Sequence, residues 1–208
     1  MDFQPVKASD KEIIDKYMKK ANSRSCDMSF AAVYLWKDFY LLEYTVCEDM
    51  LIFRTTEDGS SYSFPIGDAS PEKALLALEA HCKENEEPLK LHCVYRENEA
   101  WLEEHMPGKF EIEFDRDSAD YIYECEKLIG LKGKKFHGKK NHVNKFIKTY
   151  DWAYEKITDD NIDDCLAMLY KWKEINCEPG NIEKHAEACV SENALRERKF
   201  LGLKGGLI

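Results

Sequence analysis

A chain of 208 residues with 44% hydrophobic and 12% aromatic content can bury a real core, and 34% charged residues place it among folded chains. A net charge of −10 excludes an indiscriminate nucleic-acid coat over the whole surface, so any anion binding must be local. No apolar run approaches the ~20 residues of a spanning helix, and the first residues, Met1 to Pro5, show no signal-peptide pattern. The expected location is therefore cytoplasmic, with room for peripheral membrane contact. The eight cysteines (26, 47, 82, 93, 125, 165, 177, 189) include no C-x-x-C pair, which predicts reduced, mostly buried thiols and no metal site.

In chain order, Phe3 to Val6 reads as a short strand. Ser9 to Glu12 then spells a capping box ahead of a helical stripe of Ile13, Ile14, Tyr17, Met18 and Ala21. A second helix is predicted from Asp27 to Trp36. Phe39–Val46, Met50–Thr55 and Ser61–Pro65 are rich in β-branched and aromatic residues. With turns at 47–49 and 57–60 they predict a three-stranded antiparallel meander. Ser70 and Pro71 open a helix that runs to about Lys83. Leu89–Tyr95 is a predicted strand, Glu97–His105 a helix, and Phe110–Phe114 and Asp120–Tyr123 two further strands. Trp36, Leu41, Phe53, Leu75, Leu91 and Ile112 are the expected core of this part.

The stretch Lys127–Tyr150 departs from everything around it. It holds eight lysines (127, 132, 134, 135, 139, 140, 145, 148) and no carboxylate, so the remaining residues carry −18. As a single helix it would place Phe136, Val143, Ile147 and Tyr150 on one apolar stripe, with Lys134, Asn141, Lys145 and Lys148 opposite. Lys139 and Lys140 would border the stripe. An ordinary solvated helix mixes signs to gain i,i+4 pairs, and this one does not. Lys134, Lys135, Lys139, Lys140, Asn141, Asn144 and Lys145 are accordingly the candidate anion- or phosphate-binding residues. Lysine acts there as a point-charge donor and asparagine as a directed neutral one.

After it, Trp152–Ile157 reads as a strand and Thr158 as the cap of a helix with the stripe Ile162, Cys165, Leu166, Leu169, Trp172 and Ile175. Pro179-Gly180 breaks the chain, a helix is predicted from Ile182 to Phe200, and Leu207-Ile208 begins another strand. The order strand, helix, helix, strand thus occurs twice. The last strand is expected to lack a partner, as if a second copy were cut short.

Ser25 to Phe30 with Tyr34 to Asp38, and Asp120 to Tyr123 with Leu131 to Lys135 and Lys140 to Phe146, resemble a bacterial family related to the C-terminal domain of phosphatidylglycerol lysyltransferases. The resemblance spans nearly all of the chain, and Lys-Asn-His-x-Asn-Lys-Phe is its most specific run. It implies an α+β fold of tandem GNAT type, with a mixed, largely antiparallel sheet flanked by helices. Residues 1–126 would form a first GNAT-like domain, 127–150 a basic connecting helix, and 151–208 the opening part of a second. It also implies an aminoacyl- or acyltransferase that moves its group from an anionic donor, aminoacyl-tRNA or acyl-CoA, to an acceptor such as a phospholipid head group. The alternative is a non-catalytic module whose basic helix docks nucleic acid or an anionic membrane.

An acyl-CoA-binding member of this fold cradles pyrophosphate on a glycine-rich loop, and the corresponding Pro65 to Ser70 has one glycine and an aspartate. The first domain is therefore expected to be degenerate and to hold no cofactor. Asp163-Asp164 and Glu124/Glu126 read as solvated surface. The six histidines show no dyad or ligand spacing, and no P-loop or nucleophile elbow is present. No catalytic residue is assigned, and the chain by itself is expected to be inactive.

Overall fold

In a computed structural model, which describes residues 1–57, 59–119 and 121–208, the chain folds around one five-stranded sheet. Its strands are β1 (Gln4–Pro5), β2 (Glu43–Cys47), β3 (Met50–Thr55), β4 (Ser61–Ser63) and β5 (Leu91–His92), in that spatial order. The first three pairings are antiparallel and β4–β5 is parallel, so the fold is mixed α+β with a mostly antiparallel sheet. Helix α3 (Glu72–Glu84) lies in the connection between the parallel pair.

Strand β3 explains the core. Its unbroken run Met50-Leu51-Ile52-Phe53 is buried throughout, as a strand covered on both faces requires. Leu51 and Phe53 pack with Ile14, Tyr17 and Met18 of α1 (Lys11–Ala21) and Phe30 and Val33 of α2 (Phe30–Trp36). Met50 and Ile52 face the other way, onto Ala74, Leu78 and Cys82 of α3. Each such side chain contributes about 1.5–3 kcal/mol when fully buried. A third cluster joins Phe64 and Leu75 to Leu102 and Met106 at α4 (Arg96–His105).

The β2–β3 turn is a two-residue hairpin loop with Glu48 and Asp49 both at positive φ, as the strand twist demands. Helix α2 is capped by Ser29, whose Oγ accepts the Ala32 N–H at 3.2 Å. The first helix starts differently from expectation. Asp10, rather than Ser9 with Glu12, closes the turn, its carboxylate accepting the Lys7 N–H at 2.8 Å.

Several other expectations are corrected. Strand β2 begins at Glu43, because residues 39–41 continue the turn that ends α2, and Leu41 sits exposed at φ +48°. Trp36 and Leu91 are half-buried. Phe110–Phe114 forms no ladder, nor do the described residues 121–123; Asp120 itself, like Asp58 in the expected 57–60 turn, lies outside the described residues. Ile112 and Phe114 are exposed, since an alternating pattern without a sheet edge to join buries nothing. Of the cysteines, Cys82 and Cys165 are buried, while Cys93, Cys125 and Cys189 are exposed. Buried thiols are thus the minority.

The second part repeats the first in order and pairing. Strand β6 (Glu155–Lys156) is followed by α7 (Ile162–Asn176), α8 (Ile182–Arg196), the short α9 (Arg198–Leu201) and β7 (Gly206–Leu207). Strand β7 returns antiparallel to β6, with Leu207 opposite Glu155, as β2 returns to β1. The expectation that Leu207 would lack a partner is therefore wrong. Asn161, not Thr158, precedes α7, and its Oδ1 accepts the Thr158 N–H at 2.8 Å. The inner stripe of α7 is buried at Cys165, Leu166 and Leu169, whereas Trp172 and Ile175 are exposed. Helix α8 stops at Arg196, and the turn to α9 delivers Leu201 into the core around Phe30 and Ile14. Phe200 meets the rings of Phe30 and Tyr34 edge-on at 6.2 and 5.8 Å. Among the described residues no helix is long and apolar enough to cross a membrane.

Candidate anion-binding site

The lysine-rich stretch is two helices, not one. Helix α5 (Cys125–Gly130) ends at Leu131, which takes the left-handed conformation at φ +41° and donates its N–H to the Lys127 carbonyl. Gly133 follows at φ +89°, ψ 165°, a region open essentially to glycine alone. A single 3₁₀ turn, Lys134–Phe136, then leads into α6 (His137–Thr149). The two glycines at 130 and 133 are the sequence signal for this break, which uniform lysine content obscures.

Phe136 is the anchor of the stretch, only 7% exposed. Beyond it α6 is exposed on every side, and Val143, Phe146 and Ile147 of its apolar stripe remain 38–49% open. At its end, Phe146 contacts the rings of Tyr150 at 5.1 Å and Trp152 at 6.3 Å. Near its start, Lys139 Nζ lies 5.6 Å from the centre of the Tyr123 ring. Lys127 pairs with Glu124 at 2.6 Å. Among the described residues, Lys132, Lys134, Lys135, Lys139, Lys140, Lys145 and Lys148 form no ion pair. Seven unneutralised ammonium groups on one short segment make a positive potential in a protein of −10.

The break shapes that charge. Leu131, Lys132, Gly133, Lys134, His137 and Lys140 line an open concavity of about 470 Å³ where the turn after α5 meets the first turn of α6. Of the residues expected to bind anions, Lys134 and Lys140 line it. Lys135, Lys139, Asn141, Asn144 and Lys145 are exposed elsewhere on the turn and on α6. Lys132 was not among the residues expected to bind anions, and the turn at Gly133 brings it to the same concavity.

The loop at 65–70 is built for packing. A Cβ at Gly67 would lie 2.8 Å from Met50 Sδ and 3.2 Å from the Asp49 carbonyl oxygen. Asp68 is bound to Lys20 at 2.6 Å, and that hydrogen bond holds its carboxyl below the usual carboxylate range. A carboxylate engaged there faces an incoming pyrophosphate with like charge. No group of three or more His, Cys, Asp or Glu side chains suited to a metal occurs among the described residues.

The fold and this segment define a mixed α+β protein with a mostly antiparallel five-stranded sheet, a lysine-rich helical segment and a two-stranded sheet that brackets α7, α8 and α9. The chain belongs to the phosphatidylglycerol lysyltransferase C-terminal family, whose sequence profile matches residues 18–208. It is similar to a conserved protein of unknown function from Bacteroides thetaiotaomicron, known from a crystal structure. The two are 31% identical with a TM-score of 0.89, over 100% of this chain and 71% of that one. An uncharacterised protein of Mycoplasmoides gallisepticum is 33% identical over 63 residues, which is 29% of this chain and 20% of that protein's length.

Proposed function

We propose that the chain is part of an aminoacyltransferase of the lysyltransferase type, in which the basic segment engages the phosphates of an aminoacyl-tRNA donor. What carries this is the row of unpaired, exposed lysines on α6 and the turn before it, in a chain of this family. Two GNAT-like units fit the repeated order and the matching β1–β2 and β6–β7 pairings, with residues 1–126 and 151–208 on either side of the basic segment 127–150. The packed Gly67 and the Lys20–Asp68 pair argue for a tRNA donor over acyl-CoA at the first unit. The acceptor we propose is a phospholipid head group, as the family name indicates.

A second reading has an observation of its own. Val143, Ile147 and Tyr150 lie exposed beside lysines, the pattern of a helix that settles on an anionic membrane without catalysis. Titration with tRNA and with phosphatidylglycerol vesicles at two salt concentrations separates the two. With about four lysines on phosphates, RNA affinity should fall with a log–log salt slope of roughly −3. Vesicle docking should instead gain about 1 kcal/mol per lysine. Changing Lys134, Lys139, Lys140 and Lys145 together to Gln should abolish tRNA binding. A variant that binds tRNA as well as the parent would overturn the proposal.

A further inference from the structure

We infer that the concavity at the Gly133 turn and the start of α6 is a phosphate site, distinct from the outer lysines of α6, that seats a single phosphate group through Lys132, Lys134, His137 and Lys140. This deepens the function proposed above and rests on the basic segment being its anion-binding element. Three lysines and a histidine line one concavity, no carboxylate shares it, and none of the lysines is ion-paired among the described residues. A space of about 470 Å³ is wide enough for a tetrahedral oxyanion with part of its ester. The three lysines and His137 line this one space, so a group seated there meets several donors at once. Lys145 and Lys148 are exposed on the later turns of α6 and do not line this space.

The ligand class follows from the donors. Ammonium groups are point charges that can surround a tetrahedral anion from several directions. Up to three lysine charges with no acid nearby suit a phosphomonoester or phosphodiester better than a singly charged carboxylate. The Gly133 turn sets the pocket, since its φ of +89° brings Lys132 and Lys134 to the same concavity as Lys140. A phosphate of this kind could be an RNA backbone group, a lipid head group or free phosphate.

The experiment follows the backbone amides of the isotope-labelled chain during titration with inorganic phosphate. Shifts at Gly133, Lys134 and His137 should saturate, with little change at Lys145 or Lys148. Changing Lys132, Lys134 and Lys140 together to Gln should weaken phosphate by about tenfold or more, while Lys148→Gln leaves it unchanged. The corresponding triple Arg variant should retain binding and controls for folding. Competition by a tRNA stem-loop or by phosphatidylglycerol vesicles then identifies the source of the phosphate. Shifts spread evenly along α6, or equal weakening in both Gln variants, would overturn the pocket. Saturation at 131–140 with neither tRNA nor vesicles competing would leave the pocket standing and sink the donor and membrane readings.

Discussion

Gly67 offers a direct test of whether the 65–70 loop exists to pack or to receive a ligand. A Cβ added there would stand 2.8 Å from Met50 Sδ and 3.2 Å from the Asp49 carbonyl oxygen, both closer than ordinary contact. Met50 is 2% exposed and has little space into which to retreat. Gly67→Ala therefore overpacks the α3 face of β3, at a cost of about 1–3 kcal/mol. For a chain of this size that lowers the unfolding midpoint by roughly 2–12 °C. Met50→Ala alone should cost about 2–5 kcal/mol through the cavity it leaves. The double variant should be less destabilised than the sum, by about 0.5 kcal/mol or more, because removing Sδ relieves the nearer clash. Thermal and urea unfolding of the four proteins measure the cycle. Gly67→Ala at or above the parental midpoint, or strict additivity, would refute the packing account and reopen the loop as a ligand cradle.

Gly133→Ala should cost about 1–3 kcal/mol through backbone strain alone, since its new Cβ would meet no neighbour, and phosphate binding should weaken with it. Leu78→Ala, at a fully buried site under the sheet, should destabilise by about 2–5 kcal/mol, whereas Ile129→Ala, 85% exposed, should stay within about 0.5 kcal/mol. Equal effects in urea unfolding would show that the core is misassigned. Burial, with a smaller push from Lys90, lowers His92 from its ordinary 6.5 to about 4, while its Nδ1 lies 2.8 Å from Ser61 Oγ. The unfolded chain binds this proton between pH 6.5 and 4 and the folded chain does not, so stability is full above pH 6.5 and is lost as pH drops from 6.5 towards 4, by at most about 3.4 kcal/mol. His92→Gln should flatten the fall, and an unchanged slope in pH-dependent unfolding would show that His92 titrates normally.

The parts of the fold legible in the sequence are those where composition and period agree. Met50–Thr55 is found to the residue because a buried β-branched and aromatic run between two turns leaves no competing assignment. Phe110–Phe114 fails for the opposite reason: alternation tells which face a strand would bury, not whether a partner strand is there. In the candidate site the lysines are visible as charge, but their arrangement depends on Gly133, whose backbone geometry no helical projection contains. Helical period sets Lys134 about 160° away from Lys132, and the turn puts both on one concavity with Lys140. Leu201 joining the core of α1 and α2 leaves no local signal, since its partners lie far away in the chain.

That last contact has a consequence for how the protein is made. Phe30 and Ile14 leave the ribosome early, but the residue that completes their packing is synthesised roughly 170 positions after Phe30, about 10–30 s later at ordinary elongation rates. Through that interval the nascent sheet and its first two helices have an apolar opening where Leu201 and Phe200 will dock. It is the natural place for a chaperone to hold the emerging chain, and the place where a stalled one would first stick to its neighbours.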